Sequence, residues 1–247
     1  MSRFGWLTAL ALVLILLGAA PALAQSVTVD LGGEGGSSTG RILELLALLT
    51  VLSLAPAILV TVTSFTRIIV VLSFLRNALG LQQTPPNIVL ISLALFLTGF
   101  IMAPTLEKSY SDGVAPLIAE QIPEADALER AAAPLHTFMA AHVRGQDLQL
   151  FAGIAKIDTV QSPKDVPFRV LVPAFMISEL RRAFEIGFLL FLPFLVIDLV
   201  VSSILMSMGM MMLPPVTISL PFKLIFFVLV DGWYLVAGSL VQSFGSG

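Results

Sequence analysis

Residues 205–215 read LMSMGMMMLPP, and this stretch decides how the second half of the chain folds. It holds five of the nine methionines of the chain and ends in two adjacent prolines. Methionine is unbranched and polarizable, so a cluster of methionines makes a deformable apolar surface. Gly209 and the prolines disfavour a continuous helix here. Because long apolar runs flank the stretch, we predict a soft apolar loop at the tip of a helical hairpin, able to close a pore. Ordinary core filling by methionine is the alternative.

The composition is that of a membrane protein. Of the 247 residues, 57% are hydrophobic and 12% are charged, and the mean hydropathy is +0.98. A soluble domain carries about 25% charged residues, so half that share indicates a protein that works in or beside a membrane. The formal net charge of −3 does not favour a nucleic-acid partner. The chain has no cysteine, which excludes disulfides and thiolate metal sites.

Residues 1–24 have the features of a secretory signal peptide. Arg3 gives a positive start, an apolar core too short to span a bilayer follows, and residues 22–24 (ALA) match the small-x-small cleavage pattern. We predict cleavage between Ala24 and Gln25, which would place the mature N-terminus outside the cytoplasm; an uncleaved anchor helix is the alternative. Residues 25–40 are rich in glycine and serine, which predicts a flexible linker.

The remainder divides into three segments, which together predict an all-α fold of membrane-associated helical hairpins. Residues 41–104 form a first hairpin around a polar, proline-bearing turn, with Pro104 ending its second helix. Residues 105–170 carry charges of both signs and several prolines, which predicts a small helical insertion exposed to solvent. Residues 171–247 form a second hairpin that carries the methionine-rich loop, and Pro173 is expected to open its first helix.

Several charged residues lie within or beside the apolar runs: Glu44, Arg67, Glu185, Asp198, Lys223 and Asp231. A charge is costly in lipid and usually faces a partner or a water-filled cavity. The positive-inside rule also places both the first turn and the start of the third helix in the cytoplasm, although one span separates them. We therefore expect an oligomer whose helices pack against other subunits, some of them without crossing a bilayer in the usual way.

One pair of these charges can be placed by spacing. Asp198 lies twelve residues before Met210, and Lys223 lies twelve after Met211. If the hairpin folds back between the two methionines, antiparallel helices bring the two charges to the same height. We predict an ion pair across the hairpin; separate contacts of each charge with water or with another subunit are the alternative.

A second group of charges stands near the start of the third apolar helix. Glu179 with Arg182, and Arg181 with Glu185, are spaced i,i+3 and i,i+4, so each pair can form along one helix face. Two interpretations stay open. The group is a solvated helix start, or it contributes to a ring of charges between subunits.

Long stretches of the chain resemble the FliP family, the flagellar branch of the type III secretion export-gate proteins. The resemblance covers residues 42–244. It rests on LGLQQTPPN (79–87), PAFMISELRRAFEIGF (173–188), MGMMMLPP (208–215), SLPFKL (219–224) and VDGW (230–233). The segment 105–170 matches loosely.

The resemblance implies a subunit of a bacterial export gate in the inner membrane and flagellar basal body. Members of the family form a pentamer that assembles with FliQ and FliR into a helical ring, raised largely to the periplasmic side, and pass unfolded export substrates. Other export-apparatus and basal-body proteins are implied partners. The family's methionine gasket maps onto Met210, Met211 and Met212, with Met206 and Met208 nearby. Acidic and basic positions of the family's hairpin correspond to Asp198 and Lys223. An injectisome-type homologue is the nearest alternative.

Two other classes are considered from the residues themselves. An enzyme is disfavoured, because His136 and His142 are the only histidines, they form no HExxH pattern, and no metal site or cofactor is indicated. A secondary transporter would use Asp198, Lys223 and Asp231 as an ion path and would explain helices broken by proline. Four apolar runs are few for a transporter, and no inverted repeat is visible.

Overall fold

The computed structural model describes residues 38–157, 165–210 and 214–245. Throughout these ranges the chain is helix or short connection, so the all-α prediction is confirmed. The chain divides into two compact units, Met1–Leu52 and Ser53–Gly247, and all contacts considered below lie within the second. The signal peptide and its cleavage site at Ala24 and Gln25 lie outside the described residues, as does the linker up to residue 37.

Nine α-helices are described, one of them continued by a single π-helical segment. Their bounds are α1 Ser38–Val62, α2 Phe65–Ala78, α3 Asn87–Ser109 with the π-segment Tyr110–Val114, α4 Ala115–Ile118, α5 Glu124–His142, α6 Gly145–Ile154, α7 Phe168–Ser207, α8 Pro215–Leu229 and α9 Gly232–Gly245.

Within the described ranges, two segments are long and apolar enough to cross a membrane, Asn87–Ile118 and α7. The number rises to four if each of two bent pairs is one span: Leu52–Val62 with α2, bent by 70°, and α8 with α9, bent by 63°. The 40 residues of α7 extend about 60 Å at 1.5 Å per residue, roughly twice the hydrocarbon thickness of a bilayer. Its apolar surface is therefore longer than one membrane crossing requires.

The predictions that Pro104 ends a helix and that Pro173 begins one are wrong. Pro104 lies inside α3, and α7 begins five residues before Pro173, directly after Pro167. A proline inside a helix removes one hydrogen bond and crowds the preceding turn, yet helices that pack against apolar neighbours tolerate this. The expected segment boundaries at 104/105 and 170/171 consequently fall within continuous helices.

The main core forms where α2 packs against α7. Ile68, Val71, Leu72 and Leu75 of α2 are buried with the i, i+3, i+4, i+7 spacing of one helix face. Gly187 of α7 allows close approach, because a Cβ there would lie 2.7 Å from ring carbons of Phe74. Phe194 of α7 and residues from α3, α8 and α9 complete this core: Leu90, Ala94, Phe227, Val236 and Leu240. The α2–α7 pair is therefore the frame on which the other helices rest.

A second core joins the insertion to the first part of α7. Met139 of α5 and Leu148 of α6 are buried together with Leu171 and Phe175 of α7. The π-segment lies against α5 at Gly113, where a Cβ would stand 2.6 Å from the backbone nitrogen of Ala131. The insertion is helical, as predicted, and it is packed onto the α2–α7 frame through α7.

Candidate functional site

The tip of the second hairpin begins with a defined helix end. Gly209 has φ +74°, a conformation that glycine adopts without steric cost. The Met210 amide donates to the Leu205 carbonyl (3.0 Å), and the Gly209 amide donates to the Met206 carbonyl (3.1 Å). These are the two bonds of a Schellman motif, which satisfies carbonyls that a helix end leaves open. Gly209 therefore ends α7, and α8 starts after Pro214.

The methionines described at this tip project into open space. Met206 and Met208 are each 61% exposed and Met210 is 41% exposed. Core filling is therefore the wrong interpretation for these three side chains. Met211 and Met212, the other two predicted gasket residues, lie outside the described part of the chain.

The structure brings Asp198 and Lys223 together. Lys223 is 3% exposed, and its Nζ lies 2.6 Å from Oδ2 of Asp198, a side chain that is 24% exposed. The same ammonium donates to the carbonyl of Ala78 at 3.1 Å. Ala78 is the last residue of α2, where carbonyls lack helical partners and a positive charge is favourable. Lys223 thus joins the two helices of the hairpin and also holds the end of α2.

Asp198 has a second partner that the sequence analysis missed. The hydroxyl of Ser219 donates to Asp198 Oδ1 at 2.5 Å. Ser219 lies one turn before Lys223 on α8, and that i,i+4 spacing was the available signal. The contact with Ala78 involves a backbone oxygen, for which the sequence offers no comparable signal.

Glu179 lies inside the chain and pairs with a residue of another helix. Its carboxylate receives Arg67 Nε (2.8 Å) and Nη2 (2.5 Å), and both side chains are at most 1% exposed. The predicted pair between Glu179 and Arg182 is therefore wrong, because Arg67 occupies the carboxylate. Complete burial within one chain also removes Glu179 from any ring of exposed charges between subunits.

The other predicted pair of that charge group, Arg181 with Glu185, forms as its i,i+4 spacing predicts. Arg181 Nε donates to Glu185 Oε1 at 3.0 Å, with both side chains more than half exposed. An exposed i,i+4 pair contributes only a few tenths of a kcal/mol. Arg182 is partly buried. The remaining charge with a described side chain, Asp231, is exposed; the side chain of Glu44 lies outside the described atoms.

The residues VDGW (230–233) form the bend between α8 and α9, and the bend accounts for their identities. Asp231 has φ +51°, a left-handed conformation unusual outside glycine. Gly232 follows because a Cβ there would lie 2.1 Å from the ring of Phe227. Trp233 then packs edge-on against the same ring, 5.4 Å away. The bend is thus specified by two residues with backbone roles and one aromatic contact.

The histidines have structural contacts. His136 Nε2 contacts the Val166 carbonyl (2.7 Å), and His142 Nδ1 contacts the Phe138 carbonyl (2.8 Å). Among the side chains that the structure describes, no three His, Asp or Glu residues are grouped to hold a metal ion.

Comparison with known proteins finds relatives that match this chain over most of its length. The sequence profile of the FliP family matches residues 48–240. The flagellar biosynthetic protein FliP of Caulobacter vibrioides is 58% identical over 246 residues, covering 99% of this chain and 92% of the relative. The protein of the same name from Bacillus subtilis is 57% identical, covering 85% and 94%. That of Aquifex aeolicus is 50% identical, covering 95% and 98%. Matches of this extent and identity show that the chain belongs to the FliP family.

Proposed function

We propose that this chain is a pore-forming subunit of the flagellar type III export gate, passing unfolded flagellar subunits across the inner membrane. Membership of the FliP family supports the general part of this function: the chain is a membrane-associated component of the flagellar export apparatus, and it is a structural protein rather than an enzyme. The observation that carries the finer proposal is the exposure of Met206, Met208 and Met210 at the tip of a hairpin anchored by a buried ion pair.

An apolar tip suits a passage that must hold back ions and still admit a chain of varied sequence. Narrow apolar constrictions close by dewetting, and methionine repacks readily around different side chains. A single chain supplies one tip, so closure requires several copies around the passage. We take the number to be five and the neighbours to be FliQ and FliR, as in the family that the chain belongs to.

The outward faces of the long helices support such an assembly. Phe96 and Phe100 of α3 are 79% and 70% exposed, and Phe188 and Leu189 of α7 are 63% and 64% exposed. Apolar surface of this extent is covered by lipid or by protein in a working complex. Because α7 is about twice as long as a bilayer requires, we assign part of this surface to other subunits on the periplasmic side. We assign Arg181, Arg182 and Glu185 to the same subunit contacts.

A secondary transporter is less well supported by the geometry. The ammonium of Lys223 is held by Asp198 and Ala78 within one chain and is almost fully buried. An ion path would need this group to exchange partners with a passing ion. The names of the relatives likewise favour the flagellar system over an injectisome.

The gasket role is tested by replacing Met210, Met211 and Met212 with alanine together. The triple variant removes three of the five methionine side chains of each tip, so the assembled gate should leak small solutes and ions across the inner membrane. Replacement of the same three residues by leucine keeps the volume and should keep the gate closed. Leu128→Ala, on the exposed face of α5, is the control for an ordinary surface truncation. An alanine triple variant that assembles and remains as ion-tight as the wild type would refute the gasket role.

A further inference from the structure

A buried guanidinium joins three helices at the opposite end of the frame from the hairpin tip. Arg67 of α2 forms the two-pronged pair with Glu179 of α7 described above. Its third nitrogen, Nη1, donates to the carbonyl oxygen (3.2 Å) and the hydroxyl oxygen (3.0 Å) of Ser243 near the end of α9. One side chain thus holds residues that lie 112 and 176 positions away in the sequence.

The face of the same guanidinium is covered by the next residue of α9. The carbon Cζ of Arg67 lies 3.6 Å from the ring centroid of Phe244, within the range of a cation–π contact. Phe244 also stacks on Phe138 of α5, with ring centroids 6.0 Å apart, and lies 5.3 Å from the His142 ring. The end of α9 is therefore packed between Arg67 and the insertion.

This contact has the same composition as the one at the other end of the frame. At the hairpin, Lys223 of α8 is the cation, Asp198 of α7 the carboxylate and Ala78 of α2 the carbonyl. At the far end α2 supplies the cation, α7 the carboxylate Glu179 and α9 the carbonyl. The α8–α9 arm, bent at Val230–Asp231, is consequently held at two charged points on the α2–α7 frame.

The guanidinium has properties that a lysine would not reproduce. It presents donors in a planar fork that matches a carboxylate, and its flat face stacks on an aromatic ring. At this site both properties are used, since Nε and Nη2 engage Glu179 while the face meets Phe244. In a lysine variant, a single ammonium would have to replace the four hydrogen bonds that the guanidinium donates to Glu179 and Ser243.

We propose that Arg67 is a positioning residue that holds the end of α9 against the frame and the insertion. Through the α8–α9 arm it sets the position of the methionine-bearing hairpin formed by α7 and α8. The contact between Arg67 and α9 stands on the structure of this chain alone. Its consequence for export rests on the proposed function.

The test consists of two separate measurements: the distance between two labelled positions of one chain, and the amount of protein exported. Because the chain contains no cysteine, spin labels can be attached at Leu128→Cys and Gly245→Cys without a background. Leu128 is 72% exposed on α5, and the position of the Cβ at Gly245 is open. Labelled chains are diluted with unlabelled ones in the detergent-extracted assembly, so that each distance is measured within one subunit.

The wild type should give one narrow distance between the labels. Arg67→Lys should broaden this distribution at least twofold while leaving the amount of inserted chain unchanged. Deletion of residues 243–247, with a label moved to position 242, keeps the Arg67–Glu179 pair and should broaden it as well. Both variants should lower the export of flagellar subunits about tenfold. Arg169→Lys, at an exposed arginine of α7, is the matched control and should change neither measurement.

If the Arg67→Lys variant does not accumulate, the deletion variant still tests the proposal. The deletion removes the contact with α9 but leaves Arg67 paired with Glu179, so that no buried charge is left alone. An unchanged narrow distance in either variant overturns the positioning role. A broadened distance with wild-type export overturns the link to the gate. Failure of the gasket test alone would leave the distance result standing, because that measurement does not depend on pore closure.

Discussion

The two partners of the hairpin ion pair should respond very differently to neutralisation. Asp198→Asn leaves the Lys223 ammonium 3% exposed, with the Ala78 carbonyl as its remaining strong acceptor. Lys223→Met leaves the Asp198 carboxylate 24% exposed and still receiving the Ser219 hydroxyl. The carboxylate retains water and a donor, whereas the ammonium retains almost no water. We therefore expect Asp198→Asn to be the more damaging change.

The expected losses in the free energy of unfolding follow from how deeply the remaining charge is buried in each variant. Removing one partner costs roughly 3–5 kcal/mol when the charge left alone is buried, and this range applies to Asp198→Asn because the Lys223 ammonium is 3% exposed. For Lys223→Met the remaining charge is partly hydrated, so the loss is nearer that of a charged hydrogen bond, about 1.5–3 kcal/mol. The double variant leaves neither charge, and replacing a whole buried pair is often near neutral. In a chain of this length one kcal/mol corresponds to about 2–4 °C in Tm, so the midpoints of these ranges give losses of about 12 °C for Asp198→Asn and about 7 °C for Lys223→Met.

The assay is thermal unfolding of the detergent-purified chain, followed by tryptophan emission. Trp233 packs against Phe227 beside the α8–α9 bend, so its emission reports on the arm that Lys223 anchors. Arg130→Met, which removes an exposed charge of α5, is the control and should shift Tm by about 2 °C or less, because an ordinary surface substitution changes the free energy of unfolding by about 0.5 kcal/mol at most. Equal losses for the two single variants would contradict the burial argument. A double variant as unstable as the sum of the singles would show that the charges do not act on each other.

Two further changes test close contacts in the insertion by the same unfolding assay. Gly113→Ala should cost about 1–3 kcal/mol, because its Cβ would meet the backbone nitrogen of Ala131 at 2.6 Å; Gly153→Ala, whose Cβ meets nothing within 4 Å, should be neutral or gain up to about 1 kcal/mol. Equal effects of the two alanines would rule out the close approach. Ser178→Ala should cost about 1–3 kcal/mol, since it removes the hydroxyl that receives the Arg144 amide at 3.0 Å, and a loss below about 0.5 kcal/mol would mean that water replaces that bond.

The hairpin and its ion pair could be predicted because both depend on spacing along neighbouring helices. Asp198 lies nine residues before the end of α7 at Ser207, and Lys223 lies eight after the start of α8 at Pro215. Antiparallel helices convert such nearly equal spacings into nearly equal heights along the hairpin. The sequence predicts the methionines at the tip for another reason, because Gly209 and the prolines disfavour a continuous helix between two apolar runs, and the described methionines are exposed there.

The partner of Glu179 could not be found by local rules. Arg182 lies three residues away on the same helix, and a local pair is worth a few tenths of a kcal/mol. Burial of an unpaired carboxylate is far more costly, so the carboxylate takes the partner that tertiary packing brings to it. That partner, Arg67, is 112 residues away, and no periodicity relates the two positions.

Proline misled the assignment of helix ends for a similar reason. Pro56, Pro134 and Pro221 lie inside helices, as do Pro104 and Pro173. The two sharp bends fall instead where no proline stands, between Val62 and Phe65 and between Leu229 and Gly232. In a chain this apolar, the contacts of a continuous helix outweigh the hydrogen bond that an internal proline removes.

Buried charged contacts and flexible methionine side chains lie at different places in this chain. Under the proposed function, this separation indicates how the gate can open without unfolding. Lys223 and Arg67 are occupied by contacts within one chain, so these two cations stiffen the α8–α9 arm and are not available to line a passage. The Schellman motif at Gly209 fixes where α7 ends. Met206, Met208 and Met210 are exposed at this helix end, and a methionine side chain changes rotamer at little cost. Under the proposed function, the passage widens by repacking of the tips while the charged contacts stay closed. A buried ion pair costs several kcal/mol to separate, so opening by rotation at those contacts would be far slower than opening at the tips.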